Sequence, residues 1–323
     1  MNPFEVLTVQ EILGRALRST RSGWRQAFMV TPFPFDSTTE QRARQVEEMR
    51  RIYSEALDHA ELFGVERDIA SVIDQAGQRL HPEHQFVFQP HDFPGPLGLI
   101  HLGGADIRLP SDSFPDGQLL IGLLYLGFEL DSSRDHGKAI LTICETLDKE
   151  RGVFGPYIFR HFMPLPYDRP YVPRVNSADD YLESAGLPAL TDPEVRIRAD
   201  QQALESADRV LRWLYTWCHF LQSKLLYHRS ADVPVQQQKV MRKEGRPIPP
   251  LRIVYLRGYE RGPQADEPHE VSWTHRWLVR GHWRQQRVGP GLTSTRPTWI
   301  PGHVKGPADK PLIVRTTVQA VVR

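Results

Sequence analysis

Residues 192–229 decide the fold, and they read DPEVRIRADQQALESADRVLRWLYTWCHFLQSKLLYHR. Asp192 supplies a side-chain oxygen that can accept from the first free amides of a helix, and Pro193 suits the first helical position. Apolar and small side chains then recur every three or four residues, at Ala199, Ala203, Ala207, Val210, Leu214, Trp217, Leu221 and Leu225. This spacing predicts one helix over residues 193–229, long enough to brace a whole domain.

The chain before this helix divides into a helical part and a sheet part. Residues 8–80 hold apolar positions at helical spacing, and we predict helices there. Residues 83–165 instead hold short apolar runs between Pro and Gly, and the run 119–130 is apolar on both faces, as in a central strand. We therefore expect an α+β fold: N-terminal helices, a central, mainly antiparallel sheet braced by the long helix, and a basic β-rich C-terminal module.

The net charge of +1 hides an uneven distribution along the chain. Residues 1–229 hold 24 Lys and Arg against 32 Asp and Glu, which predicts an acidic body, whereas residues 230–323 hold 16 against 7. The Pro-rich stretch 230–250 is typical of a linker, which makes 251–323 a basic, tryptophan-rich module. Such a module is a candidate surface for nucleic acid, and the alternative is that its charges attract the acidic body.

The stretch from Trp273 to Arg284, WTHRWLVRGHWR, alternates two kinds of side chain. If it forms one extended strand, residues two apart share a face. One face is then largely aromatic, with Trp273, His275, Trp277, Val279 and Trp283. The other face is basic, with Arg276, Leu278, Arg280, His282 and Arg284.

The basic face suggests a binding surface, because guanidinium groups match the geometry of phosphate. We predict that nucleic acid is contacted by Arg276, Arg280, His282 and Arg284, joined by Lys305 from a later turn-rich stretch. The alternative interpretation is a solvated outer strand whose arginines pair with the acidic body.

Two stretches of this module, HRWLVRGHWRQQ at 275–286 and WIPGHVKGP at 299–307, resemble the C-terminal part of uncharacterised proteins from actinobacteria, their phages and mobile elements. A looser similarity extends along the chain and includes a Phe-Pro-Gly-Pro loop at residues 93–96. The resemblance implies a cytoplasmic protein linked to a prophage or mobile element. It implies no catalytic residues, because that family has no assigned activity.

Two other functions stay open beside a non-enzymatic accessory protein. His275 or His282 could act as general acid or base while Arg280 or Arg284 holds a phosphate, as in a toxin-like, metal-independent phosphodiesterase that cleaves RNA. The two histidines fall on opposite faces of a regular strand, and a bulge would be needed to bring them together. The third function is a protein–protein module that binds an acidic partner or a second copy of this chain.

Several classes of protein and site are disfavoured by the sequence. The longest apolar run, Leu119–Phe128, has ten residues, whereas a membrane span needs about 20. The first ten residues do not resemble a signal peptide. We therefore expect a cytoplasmic protein with no membrane partner, and reduced thiols at Cys144 and Cys218.

Metal and cofactor sites are disfavoured as well. No phosphate-binding loop and no common hydrolase motif occurs in the sequence, and we expect no cofactor. Possible metal ligands are too loosely spaced for a typical site, and we interpret them as ordinary surface residues: His81, His84, His91, Asp92 and His101.

Overall fold

The computed structural model describes residues 4–18, 39–111, 114, 116–129, 136–145, 157–171, 192–223, 225–256, 276–279, 281–288, 291, 294–300, 302–305 and 312–313. The chain forms two compact units, Met1–Leu256 and Arg257–Arg323, which we call the body and the C-terminal unit. Each unit has sheets of its own.

The body combines helices with one large sheet, which confirms the predicted α+β class. Its helices are α1 (Glu5–Arg18), α2 (Thr39–His59), α3 (Arg67–Gly77), α4 (Pro193–Gln222) and α5 (Val235–Lys243), with a short 3₁₀ turn at Pro90–Asp92. Its strands are β1 (Glu61–Val65), β2 (Leu97–His101), β3 (Arg108–Leu109), β4 (Gln118–Glu129), β5 (His136–Glu145), β6 (Tyr157–Pro166), β7 (Leu226–Ala231) and β8 (Leu251–Leu256).

The strands of the body lie in the order β6-β5-β4-β2-β1-β8-β7, and the short β3 pairs with β4. β1 runs parallel to β2 and to β8, whereas the other pairs among the described strands are antiparallel. The sheet is thus mainly antiparallel with a parallel centre. Parallel strands are usually buried on both faces, and in β1 the last four of the five residues are buried.

One face of the sheet packs against α1 and α2. Leu62, Leu99 and Leu124 lie on this face, in register across β1, β2 and β4. They share one apolar cluster with Leu7 of α1 and Leu57 of α2. Burying a leucine side chain is worth about 1.5–3 kcal/mol relative to leaving it exposed, so this layer fixes both helices on the sheet.

The helix α4 covers the opposite face. Phe63 of β1 meets the edge of Trp217, with ring centroids 6.1 Å apart. Trp213 stacks on Trp217 at 5.6 Å, and its Nε1 donates to the Ala70 carbonyl of α3 at 3.2 Å. α4 therefore braces the sheet and joins it to α3.

Two arginines of α4 fix the helix through bonds to other elements. Arg209 donates to both carboxylate oxygens of Asp74 in α3, at 3.3 and 2.9 Å, and to the carbonyl of Arg108 at 2.7 Å. Arg212, which is only 6% exposed, donates to the carbonyl of Leu80 at 3.0 Å. Because an unpaired buried charge is costly, these bonds restrict α4 to one placement on α3 and the sheet.

α4 begins where the sequence predicts, but it ends earlier. The Asp192 side chain accepts from the amide of Glu194 at 2.9 Å, and Pro193 is the first helical residue. The helix ends at Gln222 rather than at residue 229, because Leu226–Ala231 forms β7 and pairs with β8. The apolar stripe up to Leu225 fits a helix or a strand, so periodicity does not locate this boundary.

The prediction of helices throughout residues 8–80 is wrong at β1. Leu62, Phe63 and Val65 are buried in a strand that lies between β2 and β8. A five-residue apolar run is too short for its period to separate a strand from the last turns of a helix. The pairing with β2 and β8, which are distant in the sequence, decides that this run forms a strand.

The boundaries predicted after residue 229 also differ from the structure. Residues 230–250, predicted as a linker, contain the end of β7 and all of α5, and Val233 and Met241 belong to the apolar core of the body. The sequence predicts that Leu251–Leu256 belongs to the basic module, but this segment forms β8 and pairs with β1 and β7. The division between the two compact units therefore falls after Leu256.

Both cysteines are free and buried, as expected of reduced thiols. Burial raises the pKa of the Cys218 thiol well above its usual range, and the nearby charge of Asp92 adds to this. This thiol is therefore protonated at neutral pH.

None of the helices in the described ranges combines the length and the apolar character needed to cross a bilayer.

Gly98→Ala is expected to destabilise the body, because the added methyl group has no room. A Cβ on Gly98 would lie 2.5 Å from Cζ of Tyr125 and 2.7 Å from its Cε1. We expect the free energy of unfolding, measured by urea denaturation, to fall by about 1–3 kcal/mol. Gly127→Ala in β4 is the matched control, since nothing lies within 4 Å of its added Cβ. Equal losses in the two variants would contradict this steric explanation.

A second prediction concerns the pH dependence of stability. Burial lowers the pKa of His101 from 6.5 to about 4. In this pH range the unfolded chain binds more protons at His101 than the folded chain does, so the contribution of His101 to stability falls as the pH falls from 6.5 to 4. His101→Gln is expected to remove this loss, which is up to about 3 kcal/mol. Denaturation curves at several pH values measure the slope.

His81 provides the control for this experiment. It is exposed, and its Nδ1 accepts from the Glu83 amide two residues on, at 3.2 Å. His101 accepts in the same way from the Gly103 amide, at 3.4 Å, but is buried. His81→Gln is the matched control, because it replaces an exposed imidazole that makes the same kind of backbone contact. A His101→Gln variant that kept the original slope would show that the buried imidazole does not titrate as described.

Candidate nucleic-acid interface

The described residues of the C-terminal unit form two small sheets. Its strands are β9 (Arg276–Val279), β10 (His282–Val288), β11 (Ser294–Ile300), β12 (His303–Lys305) and β13 (Leu312–Ile313). β10 and β11 form a two-stranded antiparallel sheet, which we call the ribbon. In the other sheet β9 is the central strand, antiparallel to β12 and parallel to β13.

The predicted single strand from Trp273 to Arg284 is instead divided between these two sheets. β9 ends at Val279 and β10 begins at His282. A Cβ on the intervening Gly281 would overlap Cζ2 of Trp299 and lie 3.1 Å from the backbone nitrogen of Gly302. Only glycine allows this close approach of the chain.

The division of the strand separates the predicted binding residues. His282 and Arg284 lie on the same strand, two residues apart, and both are exposed. Arg276 lies on β9, and the exposed Lys305 lies on β12, so both belong to the other sheet. The remaining predicted residues, His275 and Arg280, lie outside the described residues.

The ribbon has two different faces. Residues directly opposite each other in an antiparallel pair lie on the same side. One side, which we call the polar face, holds His282, Arg284, Gln286, Thr298 and Ile300. The other side, which we call the tryptophan face, holds Trp283, Arg287, Thr295, Pro297 and Trp299.

The two tryptophans pack against each other. Trp283 and Trp299 are direct partners across the ribbon, with ring centroids 5.5 Å apart and an interplanar angle of 65°. An edge-to-face pair of this kind is worth about 0.5–1.5 kcal/mol beyond the area it buries. The pair fixes the register of β10 on β11, and with it the face on which Arg284 lies.

Two guanidinium groups of the ribbon are available at its surface. Arg284 lies on the polar face and Arg287 on the tryptophan face, and both are exposed. Within the part of the chain that the structure describes, neither forms an ion pair with a carboxylate. The ribbon therefore presents positive charge on both sides and a histidine on one.

Sequence reasoning missed a partly buried polar row in the body. It crosses the face of the sheet that α4 covers and consists of His228, Arg252, Glu61, Tyr125 and Lys138, one residue each from β7, β8, β1, β4 and β5. A lysine inside the apolar stretch HGKAILTICE is the signal in the sequence that could have indicated it.

Lys138 holds the Phe-Pro-Gly-Pro loop on the sheet. The residue is only 4% exposed, and its ammonium group donates to the carbonyls of Gly95, at 3.2 Å, and Pro96. It also lies 5.6 Å from the ring centroid of Phe93 and 5.5 Å from that of Tyr125. Burial lowers the pKa of Lys138 to about 8. The protonated amine fixes the loop through these contacts.

Arg252 links the other members of the row. Its Nε donates to Glu61, and its Nη1 lies 3.0 Å from Nδ1 of His228. Because a guanidinium can only donate, Nδ1 of His228 is the acceptor and the ring proton sits on Nε2. Burial and the charge of Arg252 lower the pKa of His228, which favours this neutral form. The charged side chains of this row are therefore bound to one another, as in Arg252 and Glu61, or to backbone carbonyls, as in Lys138.

The residues considered as metal ligands do not form a site. Within the described ranges, no group of three or more His, Cys, Asp and Glu side chains is arranged to hold a metal ion. His81 and His91 are exposed, as interpreted from the sequence, whereas His101 and Asp92 are buried. Asp92 accepts from the Gln89 amide at 2.7 Å and from the side chain of Gln222, so it joins the loop to the end of α4.

Comparisons with known proteins identify no family. No family model matches the chain, and no curated protein matches it. Among solved structures the chain is similar to that of AcrVA2, with 11% identity over 93% of each chain and a TM-score of 0.36. A likeness at this level supports no conclusion about the fold or the function.

Gly281→Ala is expected to disturb the ribbon, because the new methyl group would overlap the ring of Trp299. We expect the near-ultraviolet circular dichroism of the tryptophans to change and the stability of the C-terminal unit to fall by about 1–3 kcal/mol. Adding Trp299→Leu should relieve the overlap and recover part of this loss. A Gly281→Ala variant with the original spectrum and stability would contradict the described packing.

Proposed function

We propose that this chain is a non-enzymatic nucleic-acid-binding accessory protein of a prophage or mobile element, and that the ribbon is its binding surface. The observation on which the proposal rests is Arg284: it is exposed, it lies beside His282 on the polar face, and it forms no ion pair with any described carboxylate. An exposed guanidinium offers two parallel donors to a phosphate.

The charge of the C-terminal unit supports the same proposal. Residues 257–323 hold eleven Lys and Arg against five Asp and Glu, a net charge of +6. Positive side chains that neutralise phosphates release bound counterions, and this release drives association at low salt. The affinity of the protein for nucleic acid should therefore fall steeply as the salt concentration rises.

The proposal is tested by titrating the full chain with labelled nucleic acid at several salt concentrations. We expect a steep negative slope of log affinity against log salt, and Arg284→Ala should weaken binding at every salt concentration. Arg198→Ala is the matched control, since it removes the same charge from an exposed position of α4 in the body. Equal effects of the two variants would assign binding to diffuse charge rather than to the ribbon.

The same titration separates the other two functions. Cleavage of the bound strand that is lost in His282→Ala, while binding persists, would replace the proposal by the phosphodiesterase alternative. Absence of binding at low salt, together with a mass that depends on protein concentration, would replace it by self-association. Retention of the strand intact, with binding that depends on Arg284, is the result expected.

A further inference from the structure

We infer that the nucleic acid bound by the ribbon is double-stranded DNA, and that the ribbon enters the major groove with its polar face toward the base edges. This inference rests on the proposed function and names its substrate class. Three features of the ribbon support it: its dimensions, the chemistry of the polar face, and the packing of the tryptophan face.

The dimensions of the ribbon match the major groove of B-form DNA. Seven residue pairs join β10 to β11, so the ribbon is about 24 Å long, with its strands about 4.8 Å apart. The major groove is about 12 Å wide and admits a two-stranded ribbon. The major groove of A-form RNA is too narrow for protein side chains to reach the bases.

The polar face has the side-chain types that recognise base edges. Arginine pairs with guanine and glutamine with adenine through two hydrogen bonds, and threonine contacts either bases or the thymine methyl group. Arg284, Gln286 and Thr298 lie together on this face. The Gln286 amide donates to the adjacent Arg287 carbonyl at 3.3 Å, a local contact that a base can replace.

The tryptophan face argues against a single strand as the main ligand. Proteins that bind single strands stack the bases on exposed aromatic rings. Trp283 and Trp299 are instead half-buried and packed edge to face on each other, and Trp299 also lies against Gly281. Freeing either ring for a base would break the packing that fixes the ribbon.

The two exposed arginines of β10 make a matched pair of variants. Arg284 and Arg287 are three residues apart on one strand, and they lie on opposite faces. Arg284→Ala and Arg287→Ala each remove one positive charge from the ribbon. If the polar face enters the groove, Arg284→Ala should weaken duplex binding far more than Arg287→Ala does. If charge alone matters, the two losses should be equal.

The experiment measures binding of the full chain to duplex DNA, single-stranded DNA and duplex RNA of one sequence, at one salt concentration. We expect duplex DNA to bind at least about tenfold more tightly than the other two. Arg284→Ala should lose about 5- to 150-fold in affinity for the duplex, the range of one base contact, and Arg287→Ala less than about threefold. Circular dichroism confirms that both variants are folded.

Competition with small molecules that bind a known groove of DNA shows which groove the protein occupies. Methyl green, which occupies the major groove, should reduce binding, whereas netropsin, which occupies the minor groove, should not. Tighter binding of single-stranded DNA or of duplex RNA, equal losses in the two arginine variants, or competition by netropsin alone would overturn the inference while leaving nucleic-acid binding in place. Failure to bind any of the three ligands would overturn the proposed function itself, and the inference with it.

Discussion

The central position of β1 is the constraint on which the rest of the body depends. Leu62 pairs with Leu99 on one side and with Leu251 on the other, so this strand joins parts of the chain that are about 190 residues apart. Parallel neighbours cannot be linked by a tight turn. In the chain, α3 therefore lies between β1 and β2, and α4 lies between β1 and β8. The same pairing brings Arg252 of β8 to Glu61 of β1 and builds the partly buried polar row.

Local signals in the sequence were sufficient to predict the helix α4 and the fold class. The Asp192 cap and the spacing of apolar residues are properties of the segment itself, and both appear in the structure. β1 and β8 could not be assigned in the same way, because each is a short apolar run whose state is decided by a distant partner. The Pro-rich stretch 230–250 shows the same limit: its composition is that of a linker, but Met241 packs into the core.

The sequence pattern predicts which residues of the candidate interface share a face, but only for residues within the same strand. Alternation correctly places His282 and Arg284 on a common face, since both lie within β10. It fails for Arg276, because the chain changes sheets at Gly281, where Trp299 packs close to the backbone. That contact is between residues 18 positions apart, and nothing in the alternating pattern of residues 273–284 reveals it. A glycine inside a strand pattern is the one local sign of such a break.

Three cations of the body and the two exposed arginines of the ribbon differ in what holds their charge, and this difference supports the proposed function. A buried charge must be paired or solvated by backbone dipoles, or it destabilises the fold. Lys138, Arg209 and Arg212 are each bound to carbonyls or to a carboxylate of the body, so the fold itself accounts for their presence. Arg284 and Arg287 are exposed and are bound by no described carboxylate, so the fold does not require them in this way. Exposed arginines that no described carboxylate binds can contact an anionic partner, and in the ribbon they lie on two strands whose tryptophans pack edge to face.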